Sequence, residues 1–370
     1  MNFDYSDDQK ALKAEARRFL AAHCPISTVR GVLDDAEVPF DRPLWRAVVD
    51  MGWTGAAIPE RWGGTGLGYV ELCGLAEELG RVLAPLPFAS TVYAFTEAIL
   101  RFGSDAQRDS LLPGVAAGAI IGCLATGEGK GPTAQAVPAA RVSGGRLSGV
   151  KVPVADGDVA THALVSAQDA RGGGLFVVDL SDDGVERRAL RSLDPTRSVA
   201  SLHFDAVPCE RLEGGAQGGT ALSDLLDRVA VLLAFEQLGG ADRCLEAAQA
   251  YALTRYAFGR PIGAHQAVKH KLADIYVKNE LARSHAYHGA WALSANNAVL
   301  PRAAAAARVS GSLAFDFAAK ESLHTHGGVG FTWEADCHLY LRRARHLGLV
   351  LGGLPVWRER LVLALERDAA

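Results

Sequence analysis

The segment LSDLLDRVAVLLAFEQLGGADRCLEAAQAYALTRYAF, residues 222–258, constrains this chain more than any other. It contains no proline, and its apolar and small residues fall on more than one face, so it reads as a single helix too long for a small globule. Two further helical runs follow, QAVKHKLADIYVKNELARSHAYHGAWALSA (266–295) and RAAAAARVSGSLAFDFAAKESLHTH (302–326). Long helices rich in alanine pack as a bundle, because small contact residues let the axes approach closely. A bundle with apolar residues on several faces also implies subunit neighbours.

The rest of the chain has a different texture. Residues 1–118 read as a first helical domain. Ser6 and Gln9 have capping-box spacing, Leu12, Ala16 and Leu20 follow at helical intervals, and a second run follows Pro43 through Leu44 and Val48 to Met51. IPERWGGTGLGY (58–69) interrupts the pattern, either as a tight helix connection or as a loop lining a site. Helix resumes in VELCGLAEELGRVLA. Residues 119–218 hold short β-branched stretches separated by Gly, Asp and Ser: RLSGVKVPV, ATHALVSAQ, GGLFVVDL, VERRAL and SVASLHFDAV. These predict an antiparallel sheet or small barrel. Residues 219–370 form the bundle domain, which makes the fold class mixed and mainly α.

Charge and cysteines exclude several functions. A net charge of −4 gives no basic field for nucleic acid or an anionic membrane. No apolar run reaches the ~20 residues that span a bilayer, and the N-terminus lacks the basic start and apolar block of a signal peptide. The cysteines at 24, 73, 123, 209, 244 and 337 stand singly without CxxC, so no metal site or disulfide framework is indicated and a cytoplasmic location is expected.

Two stretches are suited to chemistry. In HTHGGVGFTWEADCHLYLRR (324–343), Thr332 is a candidate N-cap with Glu334 and Asp336 in the first turn. Ahead of it, Gly327, Gly328 and Gly330 can turn bare amide groups toward an anion, or merely form a helix–helix turn. In TRYAFGRPIGAHQAVKH (254–270), Arg255 and Arg260 bracket a Phe-Gly turn, and His265 and Gln266 open the next helix. Arginine forks bind phosphate oxygens, with histidine and glutamine as added donors; the same arginines can also simply cover helix ends.

Together these stretches resemble the acyl-CoA dehydrogenase family. RYAFGRPIGAHQAVKHKLAD is similar to its R-x-x-F-G…Q signature, and HGGVGFTWEADCHLYLRRA to its second C-terminal signature. GWTGAAIPERWGGTGLGYVELCGLAEELGR (52–81) resembles the N-terminal signature, and LDPTRSVASLHFDAVP (193–208) the end of the middle domain. The resemblance runs in order over nearly the whole chain. It implies an N-terminal helical domain, a central β domain and a C-terminal four-helix bundle, assembled as a tetramer. It further implies FAD between the β domain and the bundle, an acyl-CoA substrate, and an electron-transferring flavoprotein as possible acceptor. Arg255, Phe258, His265 and Gln266 would then serve the FAD of a neighbouring subunit, and Gly327 and Gly328 would admit its adenosine portion. His324 stands where the family has glutamine.

The family reaction removes a proton from Cα of the thioester and a hydride from Cβ, so it needs a carboxylate base within reach. The family's usual glutamate position falls at or near Leu351, and no carboxylate occurs between Asp336 and Glu359. The alternative position, early in the long helix, falls on Val229. Asp227, two residues away, and Glu236, two turns further on, are the remaining candidates; Glu236 suits equally a structural pair with an arginine of another helix. In the β domain, LATGEGKGPTAQA (124–136) keeps only Thr126 and Glu128 of the flavin loop. Pro153 and Ala155 replace the family's tryptophan and threonine, removing an N–H and a hydroxyl. Three readings follow: an FAD-dependent acyl-CoA dehydrogenase with a displaced base; a base-lacking partner subunit in a heteromeric enzyme, as family members acting on steroid side-chain thioesters are known to form; or a flavin monooxygenase on the same fold.

Overall fold

The computed structural model describes residues 5–35, 37–129, 137–214 and 220–369. Helix α1 (Asp7–His23) opens with the expected capping box: Gln9 N–H donates to Ser6 Oγ at 3.2 Å, and Ser6 N–H to Gln9 Oε1 at 2.9 Å. It is followed by α2 (Ile26–Asp34) and by α3 (Arg42–Asp50), whose cap is Asp41, accepting from Leu44 N–H at 2.7 Å. The glycine-rich loop 58–69 contains one 3₁₀ turn, Glu60–Trp62, and leads into α4 (Tyr69–Arg81). A π-helical stretch, Ala89–Thr96, runs directly into α5 (Glu97–Phe102), and α6 (Asp105–Ala116) closes this unit.

The middle of the chain is a sheet of β1 (Gly122–Ala125), β2 (Arg141–Ser143), β3 (Arg146–Ala155), β4 (His162–Asp169), β5 (Gly172–Asp179), β6 (Val185–Ala189), β7 (Val199–Pro208) and β8 (Glu210–Arg211). Its order is β6-β7-β3-β2-β4-β5-β8, with β1 parallel to β4. The other pairings are antiparallel except β2–β4. Strand β4 is buried through its centre, whereas β3 buries Leu147, Lys151 and Val154, its spacing broken by register shifts between Leu147 and Gly149 and between Lys151 and Val154. The border expected between 218 and 219 lies outside the described residues.

The bundle consists of α7 (Thr220–Thr254), α8 (Gln266–Ser294), α9 (Leu300–His326), α10 (Cys337–Leu349) and α11 (Leu354–Ala369), with a two-strand hairpin, β9 (Tyr256–Ala257) and β10 (Arg260–Pro261), between α7 and α8. Helix α7 is buried over most of its first half because α4, α8 and α9 all pack on it. Its crossing with α4 needs glycine on both sides. A Cβ at Gly239 would lie 1.8 Å from Glu77 O, and one at Gly80 would lie 2.0 Å from Glu236 O. The sequence expectation that Thr332 caps the next helix is not met. Residues Gly327–Phe331 form a 3₁₀ turn, and α10 begins only at Cys337. The intervening segment is held by Arg30 of α2 instead: its guanidinium binds Asp336 Oδ1 and Trp333 O, both at 2.9 Å, against the N-terminal unit. No helix among the described residues is long and apolar enough to cross a membrane.

Candidate functional site

Two places carry the candidate residues. The first is one end of the bundle, where α7 finishes, α8 starts and α9 finishes. The Tyr251 and His326 rings, 4.4 Å apart, and the Lys271–Glu321 ion pair at 2.6 Å tie the three helices together there. Phe258 and Gly259 form the hairpin tip at φ 53° and 76°, and Phe258 is 95 % exposed. His265 braces the hairpin, with Nε2 3.3 Å from Ala257 O and Nδ1 3.2 Å from Arg260 Nη2. Arg255 and Gln266 are exposed, and their side chains have no hydrogen bond or ion pair among the described residues. Gly327, at φ 63°, and Gly328 face open space: a Cβ at either would meet nothing within 4 Å. His324 is exposed and lies 3.6 Å from Glu321 Oε2, so its position is set partly by that carboxylate.

This end therefore presents a free guanidinium, a free amide, bare backbone and an unburied aromatic ring on one surface. Such a set can hold an anionic, partly aromatic ligand. All seven residues expected to grip a dinucleotide are gathered here: Arg255, Phe258, His265, Gln266, His324, Gly327 and Gly328.

The second place is a cavity of about 240 Å³ between the sheet and the bundle. Leu124, Thr126, Pro153 and Ala155 line it from the sheet, Ser90 and Ala94 from the π-helical stretch, Val229 and Leu233 from α7, and His346, Leu349 and Leu351 from the end of α10. Val229 and Leu351, far apart in sequence, are thus two walls of one space, and both are apolar. Among the described residues Glu128 is turned elsewhere: it pairs with the buried Lys151 at 2.6 Å and accepts from Ala139 and Ala140 N–H. The remainder of that loop, 130–136, lies outside the described residues. The 58–69 loop lines neither place.

Neither sequence candidate for a base lines this cavity. Asp227 is buried and bound by Arg360 of α11 at 2.6 Å. Burial pushes its carboxyl up to about 6, with Arg360 pulling the other way. Glu236 is buried too, 3.3 Å from Arg197 Nη1 and 3.7 Å from Arg343 Nη1. Arg343 also binds Asp194 Oδ2 at 2.6 Å and Thr196 Oγ1 at 2.8 Å. These contacts cross from α7 to the β6–β7 loop and to α10. The arginine pairing that the sequence allowed for Glu236 is what the fold builds, with one partner on α10 and one on the loop.

Sequence reasoning missed Asp156, Arg197 and His346, which all line the cavity. Asp156 accepts from Ser90 Oγ at 2.6 Å on the sheet side, and burial raises its pKa. Arg197 stood in the middle-domain stretch as part of DPTR, but nothing local marked it as facing a cavity. His346 stood unremarked in the segment where a glutamate was sought.

Comparison with known proteins adds to this geometry. The acyl-CoA dehydrogenase N-terminal domain family matches residues 6–119, and the acyl-CoA dehydrogenase C-terminal domain family matches residues 216–361. The chain is 31% identical to acyl-CoA dehydrogenase IpdE2 of Mycobacterium tuberculosis, over 91% of each chain. Among solved structures it is similar to a variant of the Tcur3481–Tcur3483 steroid ACAD, with TM-score 0.89 and 33% identity over 98% of this chain and 99% of that one. It is also similar to the ChsE4–ChsE5 complex from Mycobacterium tuberculosis, with TM-score 0.89 and 30% identity over 99% of each chain.

Proposed function

This chain belongs to the acyl-CoA dehydrogenase family, and from that premise we propose that it is the base-lacking subunit of a heteromeric, FAD-dependent enzyme. The reaction class is α,β-dehydrogenation of an acyl-CoA thioester. The observation that carries the proposal is the pairing of Val229 with Leu351 on one cavity. These are the two positions at which the family resemblance places a carboxylate, and neither side chain can take a proton. Both solved relatives are named as pairs of unlike chains, which supports a mixed assembly here, and the steroid ACAD among them supports a bulky polycyclic acyl group.

The residues present fit a dinucleotide at the bundle end. Arg255 supplies charge and paired donors to a phosphate, Gln266 an amide, and Gly327–Gly328 a backbone that nothing obstructs. They would hold the pyrophosphate and adenosine portion of an FAD seated mainly on the partner subunit. When bound, FAD supplies the hydride acceptor of the reaction. The chain's own share is to bind, orient and exclude water. Around its own cavity the bundle side is mostly apolar, with Arg345 and His346 as its polar members, and it offers no carboxylate to Cα.

A self-sufficient enzyme is the competing reading, and the observation in its favour is Asp156, the one carboxylate among the described residues that line the cavity. Co-expression with a related subunit that carries a glutamate at the position of Val229 or Leu351 separates the two. Acyl-CoA oxidation is expected only from the mixed assembly, and Asp156→Asn in this chain should leave its rate within about threefold. A rate loss of about a hundredfold, the scale of a missing general base, would instead make Asp156 the base.

A further inference from the structure

Arg197 is the most conspicuous buried group that the family reaction does not use. It is 6 % exposed and lines the cavity between sheet and bundle. Of its five donors, Nη1 reaches Glu236 at 3.3 Å. Nε and Nη2 have no partner among the described residues, and neither belongs to the polar atoms sealed inside the protein. A guanidinium so deeply buried with unused donors is costly unless something completes it. His346 lines the same cavity. Among the described residues its Nε2 is sealed without a partner, while Nδ1 is neither bonded nor sealed. Burial, reinforced by Arg197, Arg343 and Arg308, pushes the imidazole down to about 4. It is therefore neutral near pH 7 and able to donate one hydrogen bond.

The charges around this pair are close to balance. Arg197, Arg308 and Arg343 face Asp156, Asp194 and Glu236, all six buried. Asp194 is committed to Arg343, and Glu236 is shared between Arg197 and Arg343. Asp156 keeps its proton more readily than an exposed carboxyl because it is buried. The cavity thus offers unsatisfied donors from the loop and α10 in a mostly apolar lining whose other polar members are Ser90, Thr126, Asp156, Ser192 and Arg345. Plain hydrocarbon would leave those donors unpaired; an occupant with an oxygen acceptor would not.

We propose that Arg197, positioned by Glu236 and joined by His346, is a donor site for an acceptor oxygen on the cavity's occupant other than the thioester carbonyl. Two sources share that chemistry: a keto or carboxylate oxygen on the acyl tail, and a carbonyl on the ring of a bound flavin. The inference rests on the acyl-CoA reading above. It makes Arg197 a specificity-determining residue, distinct from any proton acceptor.

The test uses the full chain with its partner subunit, and three thioesters of equal length: octanoyl-CoA, its methyl-ketone analogue and suberyl-CoA. Binding is measured by calorimetry, and retained FAD by absorbance after gel filtration. The wild type should favour one of the oxygenated tails by about tenfold, the factor that one hydrogen bond to a charged group supplies. Arg197→Met should abolish that preference while octanoyl-CoA binding stays within about threefold. Because Arg197→Met leaves Glu236 with less compensation, the double variant Arg197→Met with Glu236→Leu is measured alongside; Arg343 then still has Asp194. If the variants lose FAD about tenfold and acyl preference is unaltered, the acceptor oxygen is the flavin's. If a folded variant matches the wild type in both FAD content and acyl preference, the donor site is refuted. If the wild-type assembly binds none of the three thioesters, the acyl-CoA reading falls first and takes this inference with it.

Discussion

Replacing Glu236 with glutamine separates a buried counter-ion from a catalytic base. Glu236 is 3 % exposed and stands between two buried guanidiniums, Arg197 and Arg343. The amide keeps the shape and one acceptor oxygen but not the charge. Arg343 retains Asp194 at 2.6 Å, whereas Arg197 is left with no carboxylate at ion-pair distance among the described residues. Removing one member of a buried pair costs about 3–5 kcal/mol. The retained acceptor and the second carboxylate on Arg343 place this case near the lower end. Two assays read it: the urea midpoint of the full chain, and turnover per bound flavin of the mixed assembly. Expected are a clearly lower midpoint and turnover within about threefold of wild type. An unchanged midpoint with turnover down about a hundredfold or more would make Glu236 the base and refute the counter-ion reasoning.

Arg255→Ala removes the free guanidinium at the bundle end and should weaken FAD retention by the assembly by about 2 kcal/mol, measured by equilibrium dialysis; unaltered retention would take Arg255 off the site. Asp227 gives a pH signature. Its folded carboxyl, at about 6, sits above the unfolded value of about 3.9, so the folded state holds its proton longer. Stability contributed by this group is present below about pH 4 and falls as pH rises through about 6, by up to about 3 kcal/mol. Asp227→Asn should remove that slope from urea midpoints taken across the range. Gly239→Ala puts a methyl 1.8 Å from Glu77 O, on a crossing with no room to yield. It should cost about 1–3 kcal/mol by forcing α4 away from α7, seen as a lower melting temperature.

What the sequence made legible was local. The capping box at Ser6 and Gln9, the β-branched strands and the long helix α7 each depend on neighbours a few residues apart; the box and the strands form as read, while the helix read over 222–258 stops at Thr254 and gives way to the hairpin. The exposed hairpin was legible as a Phe-Gly turn between arginines. What escaped were groups whose meaning lies across the fold. Arg197, Glu236 and Arg343 come from three separate elements, and only packing turns them into one buried cluster. Thr332 obeyed a sound local rule for helix caps, yet α10 begins only at Cys337, and Arg30, about three hundred residues away, binds Asp336 and Trp333 O in the segment between. The apolar identity of Val229 and Leu351 was visible from the start; that they share a cavity was not.

The purified chain, reconstituted alone with FAD and titrated without oxygen by acyl-CoA, is the most direct test. On the proposed reading Val229 and Leu351 flank the substrate, no proton leaves Cα by those routes, and the visible spectrum should not bleach. Bleaching of flavin bound to this chain alone would show that it carries a working base and is no silent partner.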